Sequence, residues 1–132
     1  AIEMADGRII CANASPLLGS SAALILNAAK ELAGIAHEVK LLPQKMIEPI
    51  QKTKVTYLHG HNPRLHTDEV LVALSMLSIM DENSEKALAT LPEFKGCQVH
   101  STVMLSEVDQ KIFKKLGVNL TCDPVKKKPN DF

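Results

Sequence analysis

The residues best suited to chemistry are concentrated in the stretch HGHNPRLHTDE, which runs from His59 to Glu69. Asn62, Arg64 and His66 lie there just ahead of a predicted helix. An arginine guanidinium can bind a phosphate or a carboxylate through two parallel hydrogen bonds. A histidine can donate or accept a proton near neutral pH. The stretch therefore suggests the entrance to an anionic ligand site, with His66 as a candidate catalytic residue.

A purely local interpretation of the same stretch has equal weight. Thr67 is a natural helix cap, and Asp68 and Glu69 occupy the first turn, where the helix dipole favours negative charge. In that interpretation Arg64 pairs with one of the two carboxylates and His66 packs at the helix entrance. No spacing in the stretch matches a motif that fixes a reaction, so whether the chain is an enzyme stays open.

A second candidate is Gly19-Ser20-Ser21, which opens a helix after a predicted strand. The unpaired N–H groups and positive dipole of a helix start attract anions, and the two hydroxyl groups add hydrogen bonds. Ser20 and Ser21 are therefore candidate ligand-binding residues. An ordinary serine cap is the favoured alternative, since most helices need one. No Gly-Lys-Ser or Gly-Lys-Thr follows, so this is not a Walker loop.

A third candidate is His100-Ser101 on a predicted strand near the carboxyl end of the chain. Polar side chains at the carboxyl ends of parallel strands face the ligand crevice of α/β folds. We expect His100, as a candidate catalytic residue, and Ser101, as a ligand-binding one, to approach Arg64 and His66. A structural strand histidine is the favoured alternative, and a nucleophilic serine would need a base and an orienting acid.

A metal site from His59, His61 and His66, with Asp68, is a weaker hypothesis. The spacing is not His-Glu-x-x-His, and Gly60 and Pro63 indicate an irregular loop. Exposed histidines are the favoured interpretation, so we assign no metal. The sequence identifies no cofactor.

Composition argues against two classes of partner. The formal charge is zero, with one Tyr, three Phe and no Trp, so there is no net positive charge to attract a phosphate backbone and few aromatic side chains on which bases could stack. The longest apolar runs fall well short of the roughly 18–20 residues that span a bilayer, so we expect no membrane interaction. Three widely spaced cysteines favour reduced thiols in a cytoplasmic protein.

The pattern of the chain predicts a single α/β domain over residues 1–125, followed by a basic, flexible tail at 126–132. Asp6-Gly7 predicts a hairpin between two short amino-terminal strands. The remaining strands and the helices, about five in number, are predicted to form a mixed sheet packed by helices. The predicted helices cover 22–33, 43–58 as one broken helix or two consecutive pieces, 67–80, 84–91 and 107–116. The further predicted strands cover 38–42, 97–105 and 118–122.

Two of these elements matter most for the fold. Apolar residues from Val70 to Met80 cover nearly every side of their helix, which predicts a central, buried helix. The last strand, helix and strand form a βαβ unit, so their strands should be parallel.

The chain also resembles the carboxyl-terminal part of a bacterial family known as domain of unknown function 1846. The resemblance covers nearly everything from Asp6 to Val125. It is carried by long, family-specific segments: Asp6–Ile10, Leu18–Ile35, Ile47–Lys52, Asn62–Leu71, Gly96–Thr102 and Lys115–Pro124.

The resemblance implies a cytosolic module of a parent protein several times longer, with a glycine-rich, nucleotide-loop-like segment ahead of this region. It implies no established activity. The leading hypothesis is half of a site for an anionic, phosphate-bearing small molecule. The alternative is a structural domain for self-association or for docking onto the amino-terminal domain of the parent.

Overall fold

The computed structural model describes residues 1–123, so the predicted tail at 126–132 lies outside the described residues. Within residues 1–123 a four-stranded mixed sheet has the order β2-β1-β3-β4. The strands are β1 (Ile2–Glu3), β2 (Ile9–Ile10), β3 (Gln98–Ser101) and β4 (Asn119–Cys122). The α-helices are α1 (Ser20–Ala33), α2 (Gln44–Lys52), α3 (Thr67–Leu77), α4 (Glu82–Ala89) and α5 (Glu107–Leu116). The predicted α/β class is confirmed.

The predicted hairpin is confirmed, because β1 and β2 pair antiparallel. Gly7 has φ +89°, which a glycine adopts without steric cost. The Arg8 guanidinium bridges Asp6 and Glu31, each at 2.7 Å, and so connects the hairpin to α1. On its other side, β1 pairs antiparallel with β3.

The carboxyl-terminal βαβ unit is also confirmed. β3 and β4 pair parallel, with Val99 opposite Leu120, and α5 connects them. Ser106 caps α5 by accepting a hydrogen bond from the Asp109 N–H, and Gly117 ends the helix in the left-handed conformation. Both signals are legible in the sequence.

Two predicted strands differ from the structure. The strand predicted at 38–42 is absent from the described chain, where this segment is an irregular connection. Leu41 and Leu42 are both buried there, although neighbouring residues of a half-buried strand face opposite sides. The strand predicted at 97–105 is limited to β3, because a turn closed by Ser101 and Val103 follows it.

Helix α3 is not buried on all sides, contrary to the prediction. Its inner side packs against α1, α4 and α5 and buries Val70, Ala73, Leu74 and Leu77. On its outer side, Val72 and Met76 are 62% and 64% exposed, and Ile79 and Met80, which follow the end of the helix, are 85% and 82% exposed. The helix also ends at Leu77 rather than Met80, and its cap is His66 rather than Thr67.

The predicted helical segment at 43–58 is two consecutive pieces. α2 is followed directly by a π-helical segment, Thr53–Tyr57. After it, His59 has φ +59°, the one positive value at a non-glycine residue within 1–123. The Gly60 N–H donates to the Lys54 carbonyl at 2.7 Å and closes the segment.

Candidate functional site

The amino ends of α1 and α3 lie side by side. Leu18 and Leu65 form an isolated parallel bridge. On either side of it the Gly19 N–H donates to the Leu65 carbonyl at 3.1 Å, and the Leu65 N–H donates to the Leu17 carbonyl at 3.0 Å. The loop that contains Arg64 and the turn that opens α1 are therefore adjacent segments of the fold.

A cavity of about 400 Å³ lies between the amino end of α1 and the carboxyl end of β3. Ser20 and Ser21 line it from α1, and His100 and Ser101 line it from β3. The exposed thiol of Cys11 lies on the segment that forms another part of the wall. Four residues predicted from two separate stretches of sequence are thus brought to one cavity.

The amino end of α1 has no negative charge of its own. Its cap is Gly19, no side chain caps it, and its first turn contains no acidic residue. In contrast, α4 is capped by Asp81 and α5 by Ser106, and α3, α4 and α5 each have acids in the first turn. α2 shares the bare amino end of α1, but Gln44 does not line this cavity. The positive end of the α1 dipole therefore lies at the cavity without an acidic side chain of its own first turn to compensate it.

The imidazole of His100 is oriented by contacts on both ring nitrogens. Nδ1 lies 2.7 Å from the Thr121 hydroxyl, and Nε2 lies 3.4 Å from a carboxylate oxygen of Asp123. About half of the His100 side chain is exposed. The neighbouring Ser101 hydroxyl donates to the Val103 carbonyl at 2.8 Å and so closes the turn after β3.

The other predicted residues lie on the adjoining segment rather than in the cavity wall. Arg64 Nε donates to the Ser15 carbonyl at 2.8 Å. The Asn62 side chain accepts from the Arg64 N–H at 3.0 Å. The His66 N–H donates to the Glu69 carboxylate at 2.8 Å. These contacts shape the loop ahead of α3, and the roles predicted for the three side chains stay predictions.

Two side chains that hold this region together, Lys54 and Asp109, were not anticipated from the sequence. Lys54 forms an ion pair with Glu69 at 2.8 Å and donates to the Arg64 carbonyl at 2.5 Å. Asp109, 4% exposed, accepts from Thr67. The sequence does contain a signal for the burial of Asp109. It is four residues before Phe113 and seven before Leu116, which places it on the apolar side of α5.

Neither a metal site nor a membrane span is found in the part of the chain that the structure describes. No group of three His, Cys, Asp or Glu side chains within 1–123 is arranged to hold a metal ion, so His59, His61 and His66 are not gathered as the weaker hypothesis required. Among these same residues, no helix has the length and apolarity needed to cross a bilayer.

Comparisons with known proteins identify relatives along the whole chain. A family model described as "Domain of unknown function DUF1846, C-terminal" matches residues 1–132. A UPF0371 protein of Corynebacterium aurimucosum is 54% identical over 125 residues, which are 95% of this chain and 25% of that protein. A UPF0371 protein of Streptococcus pyogenes is 42% identical over 125 residues, with the same shares of the two chains covered. The chain thus spans about a quarter of the length of the curated relatives it matches.

Proposed function

This chain belongs to the family of the DUF1846 carboxyl-terminal domain, and from that premise we propose that it supplies part of a binding site for a phosphate-bearing small molecule. The proposed site is the cavity between α1 and β3. Because the matched relatives are about four times as long as this chain, the remainder of such a protein would supply the other half of the site.

A single observation carries the proposal. The cavity of about 400 Å³ joins the uncapped amino end of α1 to His100 and Ser101. Helix amino ends bind phosphate through free N–H groups and the dipole. Serine hydroxyls among the residues that line the cavity add donors for the remaining phosphate oxygens.

Each residue then has a specific role in binding. Ser20 and Ser21 donate from the helix end, and Ser101 presents a polar group from the end of β3. His100, held by Thr121, exchanges a proton with the ligand. Arg64 contributes positive charge on the adjoining segment and positions that segment through Ser15. Charge-assisted contacts of this kind are shorter and stronger than neutral hydrogen bonds.

The experiment that tests the proposal places a competing carboxylate at the helix end. Ser20→Glu puts a negative charge on the first residue of α1, where it stabilises the helix by about 0.3–1 kcal/mol. Line broadening of inorganic phosphate in ³¹P spectra should report binding to the wild type and be abolished by Ser20→Glu. Gln44→Glu is the matched control, because it adds the same charge to the first residue of α2. Equal broadening with Ser20→Glu and the wild type would reject the site.

A second candidate function is association, and the outer side of α3 favours it. Val72 and Met76 lie one turn apart on this side, Met80 follows the end of the helix, and all three are more than 60% exposed. Exposed apolar patches of this kind mark interaction surfaces. The proposed partner is a second copy of this chain or the amino-terminal part of the longer relatives.

Sedimentation velocity tests whether copies of this chain associate. If copies of the chain associate, Val72→Lys with Met76→Lys should return it to a monomer, whereas Ala36→Lys, a change in an exposed connection, should not. Arg64→Ala should leave assembly unchanged. Assembly that is lost with Arg64→Ala and retained in the α3 variant would contradict this second candidate.

The proposed compartment is the cytoplasm. All three cysteines are free thiols, including the exposed Cys11. Free thiols persist in reducing compartments.

A further inference from the structure

A second cavity, of about 210 Å³, lies against α1 at Ala23, Leu26, Asn27 and Lys30, whereas the first cavity contacts α1 at Ser20, Ser21 and Leu24. Its wall is mainly aliphatic and combines the inner side of α1 with the segment that leads into α2. Leu26, Leu41, Leu42 and Ile47 are among its lining residues, and all four are buried. Lys30 and Lys40 also line it, whereas no acidic side chain does.

Lys30 is a buried cation without an ionic partner. It is 9% exposed, and its ammonium donates to the carbonyls of His37 and Val39 at 2.9 and 3.1 Å. No carboxylate within residues 1–123 forms an ion pair with it. Burial lowers the pKa of the Lys30 ammonium, and the charge of Glu38 opposes that effect only in part. An ammonium has three protons to donate, and two of them are used.

We propose that this cavity binds a small aliphatic carboxylate, with its carboxylate against Lys30 and Lys40 and its chain among the leucines. A buried charge is costly unless it is paired, and the ligand would provide the missing partner. At roughly 30 Å³ for each water-sized group, a volume of 210 Å³ accommodates about seven non-hydrogen atoms. Pentanoate has that size.

The test is a titration of the chain with pentanoate, followed through the methyl resonances of Leu26, Leu41 and Leu42. We expect one saturable binding curve for the wild type and for Lys45→Met, a matched change of an exposed lysine on α2 that does not line the cavity. Lys40→Met should weaken binding about tenfold or more, because one of two attractive charges is lost. Pentanol, which has the same chain without the charge, should bind at least about tenfold more weakly than pentanoate.

A second measurement probes Lys30 directly and needs no substitution of this buried residue. Saturating pentanoate should raise the pKa of the Lys30 ammonium, followed through its εCH₂ resonances, because an anion at that position favours the charged form. The absence of saturable binding, equal affinity for pentanol, or an unchanged Lys30 pKa would each overturn the proposal. These outcomes are independent of phosphate binding at α1, since the two cavities differ in ligand and in variants.

Discussion

The carboxylate of Asp109 accepts two hydrogen bonds from Thr67, one from its hydroxyl at 2.8 Å and one from its N–H at 3.2 Å. Both residues are almost fully buried. Asp109 lies in the first turn of α5 and Thr67 is the first residue of α3, so one carboxylate connects and neutralises two helix starts. The start of α1, beside them, receives no such carboxylate. This difference is the structural basis for locating an external anion at α1.

Replacing Asp109 should destabilise the domain. Asp109→Asn removes the negative charge from two helix starts, and we expect a loss of about 1–3 kcal/mol. Thr67→Val removes only the hydroxyl contact and should cost about 1 kcal/mol. Urea unfolding of the single and double variants measures both losses and their coupling. Fully additive losses would show that the two side chains do not act on each other.

We predict that the backbone at His59 is strained, because its φ is positive. His59→Gly should raise the free energy of unfolding by up to about 1 kcal/mol, because glycine adopts this conformation without the Cβ penalty. His61→Gly, at a position of ordinary φ, should lower it instead. Chemical denaturation of both variants provides the measurement. Destabilisation of the same size in both would show that His59 is not strained.

Gly60 should not tolerate a side chain. A Cβ at this position would lie 2.8 Å from the Lys54 carbonyl oxygen, and that oxygen is part of the backbone. Gly60→Ala should therefore disrupt the end of the π-helical segment, with a cost of about 1–3 kcal/mol. We expect this loss of stability to appear as faster hydrogen exchange at the backbone amides of positions 58 and 60. Unaltered exchange at these two amides would contradict the expected clash.

The cysteines should differ in reactivity with pH. Burial raises the pKa of the Cys97 thiol, so its thiolate is scarce in the folded state, whereas Cys11 is exposed. Iodoacetamide should modify Cys11 first at neutral pH.

The raised pKa of Cys97 also makes stability depend on pH. Its contribution to the free energy of unfolding is present below the ordinary thiol pKa and is lost as pH rises above that value. Cys97→Ala should remove that alkaline loss. Mass spectrometry and denaturation across pH measure the two effects.

The elements that were predicted correctly from the sequence alone are those with local sequence signals. The hairpin follows from Asp6-Gly7, and α5 follows from the Ser106 cap and Gly117. The prediction of a strand at 38–42 was wrong, because the leucines there are buried although the segment does not pair with the sheet. The outer side of α3 could not be anticipated, because an apolar periodicity does not reveal which neighbours are present.

The candidate site was partly accessible to the same reasoning. Residue types identified Ser20, Ser21 and His100, and the structure places them at one cavity. Arg64 is of a suitable type, but its guanidinium contacts the Ser15 carbonyl next to the cavity wall. Sequence patterns fix which groups can bind an anion, whereas the direction of a long side chain depends on backbone acceptors far away in sequence.

The most direct measurement of the central claim is a phosphate titration of the isotopically labelled chain. We expect the amide resonances of Ser20, Ser21 and Ala22 and the ring resonances of His100 to shift together along one saturable curve in the millimolar range. Shifts without saturation, or saturable shifts restricted to surface lysines, would contradict it.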